Sequence, residues 1–520
     1  MRIGQEEHVQ ASNFNAPILR RTRSRNEAKG EAVNQPSNRG CLTWAAWLLA
    51  TVGALVFFLV VYFISRERTA RFELSAKLER LAAQGMPIDD ATMLQYHHQL
   101  TSSEHTQAWL LVLQKLTSRD FEQASAGIPE LDPSVHGEIP GPDESWNSAS
   151  TPIENTTINP VDPNVALADQ DKVRLFLTST TTLHNDLSTL AKKHLDPNVK
   201  PVRLITHFES INTTLNTTQS MREAARLLSL RGKVAIFDRD SAQVRDCIES
   251  LLGCAAALQG EPLLVSQLVV IAVESMAIEL LKQGLKHNAL DEPDLLALAP
   301  RFANKIEISP QWRIALIGER GISLPVFANP NLVGEENATK IPIRAHDAIY
   351  FLDFMERAVS IKTDDAERFA TEIKATEQAL EEMSRSGILR SFDTILTNLM
   401  APSINAAGNA FIRQAMENRI ATIGIGIRLF EMQNGRLPNS LDELGTLVID
   451  GTKLDPAALA PPGGKPFGYQ LDGQEALLWG FDVFQTASTP DEPPSTILGT
   501  PYAEQNERWI WHLPVANPAK

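Results

Sequence analysis

Five small groups of side chains have the types and spacing that chemistry requires. His97, His98 and His105 are the densest set of possible metal ligands, and on a continuous helix His98 and His105 would share a face. A zinc site needs a third and fourth ligand, and none can be named beside them, so solvated or capping imidazoles are the expected reading. Asp238 and Asp240 in FDRDS lie on a turn, where a carboxylate caps the next helix. Glu319 and Arg320 in IGERG have the signs of a buried, structural ion pair. Gly424 and Gly426 in TIGIGIRLF hold part of a dinucleotide fingerprint, but it is incomplete and falls inside a helix, where close packing explains it. Cys247 and Cys254 are about 10.5 Å apart along one helix axis, too far for a disulfide, which needs Cα atoms within about 7 Å. They read as small buried apolar residues. No C-x-x-C, G-x-S-x-G, H-E-x-x-H, S-x-x-K or P-loop sequence occurs. No catalytic, cofactor-binding or metal-binding residue is therefore assigned.

The elements that would position these groups begin with a strong signal. Residues 41–64, CLTWAAWLLATVGALVFFLVVYFI, are 24 positions without an ionisable acid or base. As a helix they reach about 36 Å, enough to cross a hydrocarbon layer of about 30 Å. Trp44, Trp47 and Tyr62 lie near its ends, where amphipathic rings favour the interface. A cleaved signal peptide would have a shorter apolar core and a small-x-small site, whereas SRERTARF follows here. The expected partner of residues 41–64 is the lipid bilayer, as an uncleaved anchor.

Either side of the span, the local basic count is a tie: Arg21, Arg23, Arg25, Lys29 and Arg39 before it, and Arg66, Arg68, Arg71, Lys77 and Arg80 after it. Residues 1–40 carry net +3, which leaves −18 on the rest of a chain whose total is −15. A basic tail inside and an acidic body outside is the expected topology. The acidic body has no basic patch with interleaved aromatics, so nucleic acid is excluded as an expected partner. Sequons at Asn155, Asn212, Asn216 and Asn337 carry meaning only in a eukaryotic secretory setting.

The expected organisation is a disordered basic tail (1–40), the transmembrane helix (41–64), membrane-proximal helices (65–120), a Pro-rich linker (121–169), a helical body (170–402) and an α+β module (403–520). Within it, one helix is expected from Asp89 to Leu116, and an αα-hairpin around FDRDS. Residues 263–281 read as a buried helix of a soluble core, because Glu274 and Glu279 would each cost about 2.5–3.5 kcal/mol in a bilayer. Further helices are expected at 290–304, 345–360, 364–385 and 403–433, with IEISPQWRIALIGERGISLPVF as mixed structure. Asn434 and Gly435 should stop the last helix. After it, YQLDGQEALLW reads as a hairpin turning at Asp472 and Gly473. The fold class is mainly α, with a small antiparallel sheet packed on a long helix.

The tail supports a resemblance. Asn434 to Pro438, Ser440 to Leu444, Asp455 with Pro456, GKPFGYQLDG, LLWGFD and ERWIWHLP follow the order of motifs in the C-terminal module of type II secretion major pseudopilins. It departs from that family at GFDVFQTASTPDEPP, where Asp482, Asp491 and Glu492 are broken by prolines, so the calcium the family binds is not expected. It also lacks a processed leader and a glutamate in the apolar helix, which argues against a fibre subunit. The whole layout is similar to single-pass, membrane-anchored proteins common in planctomycete bacteria. That resemblance rests on the basic N-terminus and span, Gly85, Pro87 and Tyr96, Ala225 to Leu228, Glu261 to Leu264 and the G-R-L-P tail. It implies an envelope location at the inner membrane and no particular activity.

The expected function is an extracytoplasmic scaffold or assembly protein acting through contacts with envelope proteins. An envelope hydrolase with a dispersed site, or an accessory part of a secretion machine, is the alternative.

Overall fold

The computed structural model describes residues 39–132, 169–305, 307–329, 332, 345–364, 366–385, 395–449, 451–457, 459, 467–472, 475–480 and 510–515. The chain divides into two units, Met1–Ser65 and Arg66–Lys520. The described part of the first is helical and belongs to α1 (Arg39–Ala83). From Trp47 to Ile64 every side chain is exposed, Phe58 at 70 %. An apolar helical surface of that length is what a lipid environment would cover.

The second unit is built mainly from helices, whose starts follow local chemistry. Residues Arg66–Ala83 of α1 carry Ala70, Leu74, Leu78 and Leu81 on the side packed against the core. Asp89 accepts from the Thr92 amide at 2.8 Å and starts α2 (Asp90–Leu100) with a capping box. Next come α3 (Thr106–Leu116), α4 (Arg119–Ser125), α5 (Gln170–Ser179) and α6 (Thr181–Lys193). They are followed by α7 (Asn216–Phe237), α8 (Ser241–Leu258) and α9 (Leu264–Lys286), of which α8 packs on both others and on α6. Beyond them lie α10 (Glu292–Ala303), α11 (Gln311–Ala328), α12 (Ala345–Ser360), α13 (Ala366–Arg385) and α14 (Ile395–Asn434).

After α14 the chain forms two small antiparallel sheets. One pairs β1 (Val448–Ile449) with β2 (Thr452–Lys453); the other has the order β3 (Gly468–Asp472), β4 (Glu475–Trp479), β5 (Ile510–Pro514). Asp472 pairs with Glu475 at the hairpin end, while Gly473 lies outside the described residues. Trp511 packs where a Cβ on Gly424 would lie 2.8 Å from the indole, and Leu454 takes the equivalent place at Gly426. Close approach to the tail thus accounts for both glycines. One buried apolar cluster runs from Trp109 through α7, α8, α9 and α14 to Trp511 and Leu513.

Several boundaries differ from the sequence reading. The expected helix 89–116 breaks at Thr101–His105, because Thr101 Oγ1 donates back to the His97 carbonyl at 2.7 Å while Ser102 exchanges backbone bonds with Pro201 and Arg203. The linker does not begin at 121: Phe121 sits on α4, and Phe121, Ile128 and Leu131 are buried. The rest of the proposed linker, 133–168, lies outside the described residues, as does the GFDVFQTASTPDEPP loop. The mixed stretch is helical over α11, with Pro325 tolerated near its end and Gly318 in contact with the Pro262 carbonyl. The last long helix starts at 395, before the expected 403, and Gly435 (φ +70) ends it in the left-handed conformation that glycine adopts freely.

Candidate functional site

The sequence-predicted residues do not converge on one site. His97 is buried edge-on to Phe208 and is pushed down to about 3 by burial, with Arg203 adding to the effect. His98 is exposed on α2, and His105 precedes α3, so the helix break separates the pair that would have shared a face. His105 instead faces His194, whose Nε2 accepts from Trp109 Nε1–H at 3.1 Å. Among the described residues no group of three or more His, Cys, Asp or Glu side chains is placed to hold a metal.

The carboxylates have structural partners. Asp238 receives two hydrogen bonds from Arg174, at 2.6 and 2.9 Å, and Asp240 caps α8 by accepting from the Gln243 amide at 3.0 Å. The expected Glu319–Arg320 pair is not formed, because neighbours on a helix point about 100° apart. Glu319 accepts from the Leu264 amide at 3.3 Å, whereas the acid that acts on Arg320 is Glu356.

The densest reactive constellation lies between α6 and α8, where the sequence reading found none. His184, Ser188 and Lys192 recur every four residues on α6, and Gln243, Asp246, Cys247 and Ser250 line the facing side of α8. Cys247 Sγ is 3.9 Å from His184 Nε2, and His184 Nδ1 is 3.3 Å from Asn185 Oδ1. Ser188 Oγ donates to Asp246 at 3.0 Å and lies 2.8 Å from Ser250 Oγ, while Lys192 pairs with the same carboxylate. The i, i+4, i+8 stripe of polar residues on α6 was the available signal. Its partner on α8 could not be paired with it without the tertiary contact.

A thiol, an imidazole and an amide in this order have the layout of an activated nucleophile, but their electrostatics point the other way. Burial pushes the Cys247 thiol up to about 12, and burial together with Arg231 pushes His184 down to about 4. Both groups are neutral at pH 7, so the thiolate that attacks is not formed. Access is closed as well, with Cys247 fully buried. The Asp246, Ser188 and Ser250 chain has no imidazole on it and fastens α6 to α8.

No protein-family model, curated protein or solved structure matches this chain. The functional reading therefore rests on the residues above.

Proposed function

We propose that this protein is a membrane-anchored scaffold or assembly factor that works through protein contacts. The observation that supports it best is the fully exposed apolar surface of α1 from Trp47 to Ile64, on a chain whose other described helix of comparable hydropathy, α9, is largely buried. The neutral, closed Cys247–His184 pair agrees with a role that needs no nucleophile. In this reading the membrane is a bacterial inner membrane, the basic N-terminus is cytoplasmic, and the acidic remainder meets envelope proteins outside it. The charge contrast between residues 1–40 and the rest favours that orientation.

Protease accessibility of a C-terminal tag in intact and lysed spheroplasts tests the topology. Digestion in intact spheroplasts is the expected result. Protection until lysis would place the body in the cytoplasm and remove the envelope partners from the proposal.

The hydrolase alternative draws on the Cys247–His184–Asn185 geometry alone. Fast alkylation of Cys247 in the native protein at pH 7 would favour it, because a closed and neutral thiol reacts slowly. A place in a secretion machine draws on the tail motifs and on their three-stranded sheet beside α14.

A further inference from the structure

The connection between α8 and α9 buries a carboxyl that no cation among the described residues accompanies. Glu261 stands between Gly260 and Pro262 and is fully buried. Thr218 Oγ1 on α7 donates to its Oε2 at 3.0 Å, and the Ser266 hydroxyl of α9 also acts on the carboxyl. The backbone around it is held by α9 itself, since Gln267 Nε2 donates to the Glu261 carbonyl at 2.7 Å. On the far side, the Pro262 carbonyl abuts Gly318 of α11.

The same corner is the N-terminus of α9, whose first residues lack a capping side chain of their own. Glu319 reaches across from α11 and accepts from the Leu264 amide at 3.3 Å. Two acids thus meet one helix start, and only Glu319 receives one of its amides. The ionisable groups on the surrounding elements include Tyr96, His97 and His98 on α2, Arg203 before α7, Arg222, Glu223 and Arg226 on α7, and Arg313, Glu319 and Arg320 on α11. None of them acts on the Glu261 carboxyl; its environment is burial opposed by the Thr218 and Ser266 hydroxyls.

We propose that the α8–α9 corner is a proton-operated latch, in which a neutral Glu261 keeps the start of α9 docked on α7 and α11 and its ionisation frees that start. A carboxylate buried without a cation is the costly state, and swinging the Gly260–Pro262 segment toward water relieves it. Burial raises the Glu261 carboxyl from the ordinary 4.5 to about 7. Because the folded-state value is raised, the stabilisation is complete below about 4.5 and is lost as pH rises through about 7. Across that window the docked state weakens on the order of 100-fold.

Hydrogen exchange of peptides covering 262–268, measured on the full chain in detergent between pH 5 and 8.5 and corrected for intrinsic exchange, tests the latch. Wild-type protection should fall at least about 10-fold through neutral pH, and Glu261→Gln should remove the dependence. Glu319→Gln separates the two acids: the transition should persist in it, and its disappearance would assign the titration to Glu319 and overturn the proposal. A flat wild-type profile would overturn it too, as would an unchanged transition in Glu261→Gln. If that variant fails to fold, Thr218→Val gives an independent reading. Removing a donor to the charged form should move the midpoint to higher pH, and an unmoved midpoint would contradict the latch.

Discussion

The apolar stretch of α1 and the helix α9 pass the same test of length and hydropathy, yet their surroundings are opposite. The apolar stretch of α1 from Trp47 to Ile64 is wholly exposed, whereas most of α9 is buried inside the second unit. The clearest difference is a buried acid and its partners. Glu274 is buried at mid-helix on α9, where Lys305 and Gln414 of α14 satisfy its two carboxylate oxygens. Residues 41–64 contain no such group. A hydrophobic helix built for a protein core can carry a charge if the core supplies its counter-charge, and lipid supplies none. Hydropathy alone is therefore a weaker guide to membrane insertion than the position and pairing of the rare acid.

That contrast can be broken from either side. The largest effect is expected on α1: three lysines placed among residues 48–60 add about 2.5–3.5 kcal/mol each to insertion, about 9 in all, and should move the protein out of the membrane fraction. Retention in washed membranes would show that something other than α1 holds it there. On α9, Glu274→Ala leaves Lys305 and Gln414 without their acceptor and should cost about 3 kcal/mol, read as a lower urea midpoint with unchanged slope. Glu274→Gln, which keeps the shape, should cost less. The smallest change concerns an element outside the comparison that tests the same principle of local satisfaction. Asp240→Ala removes the α8 cap and should cost about 1 kcal/mol in the same titration. A loss as large as that of Glu274→Ala would mean that exposed caps and buried pairs weigh equally here.

Much of this contrast was legible in the residues. The charge-free run 41–64 and the acids of 263–281 are local signals, and they fall on the exposed and the buried helix respectively. Gly435 stops α14, and a strand pair forms over the YQLDGQEALLW segment read as a hairpin, with Asp472 opposite Glu475. The misreadings share one physical cause. The stretch read as mixed structure is helical over α11, where Gly318 and Gly321 allow close approach to Pro262 and Pro87. Thr101 to His105 looked helical until backbone bonds from residues 201–203 drew the chain away. The Cys247–His184 pair stayed hidden because its two halves are 63 residues apart and meet only when α6 packs on α8. Long-range packing decides such cases, and one sequence does not display it.

The guanidinium of Arg428 donates to the Leu285 carbonyl at the end of α9 and to the Pro514 carbonyl at the end of β5, both at 2.8 Å, while pairing with Glu431. Arg428 is buried, so it joins three stretches of chain that are made at very different times. During synthesis α9 and α14 emerge long before residue 514, and until that residue arrives the guanidinium has one carbonyl where it needs two. A ribosome product cut short of residue 510 lacks the Pro514 acceptor, so its buried guanidinium is held by Glu431 and the Leu285 carbonyl alone until β5 is made.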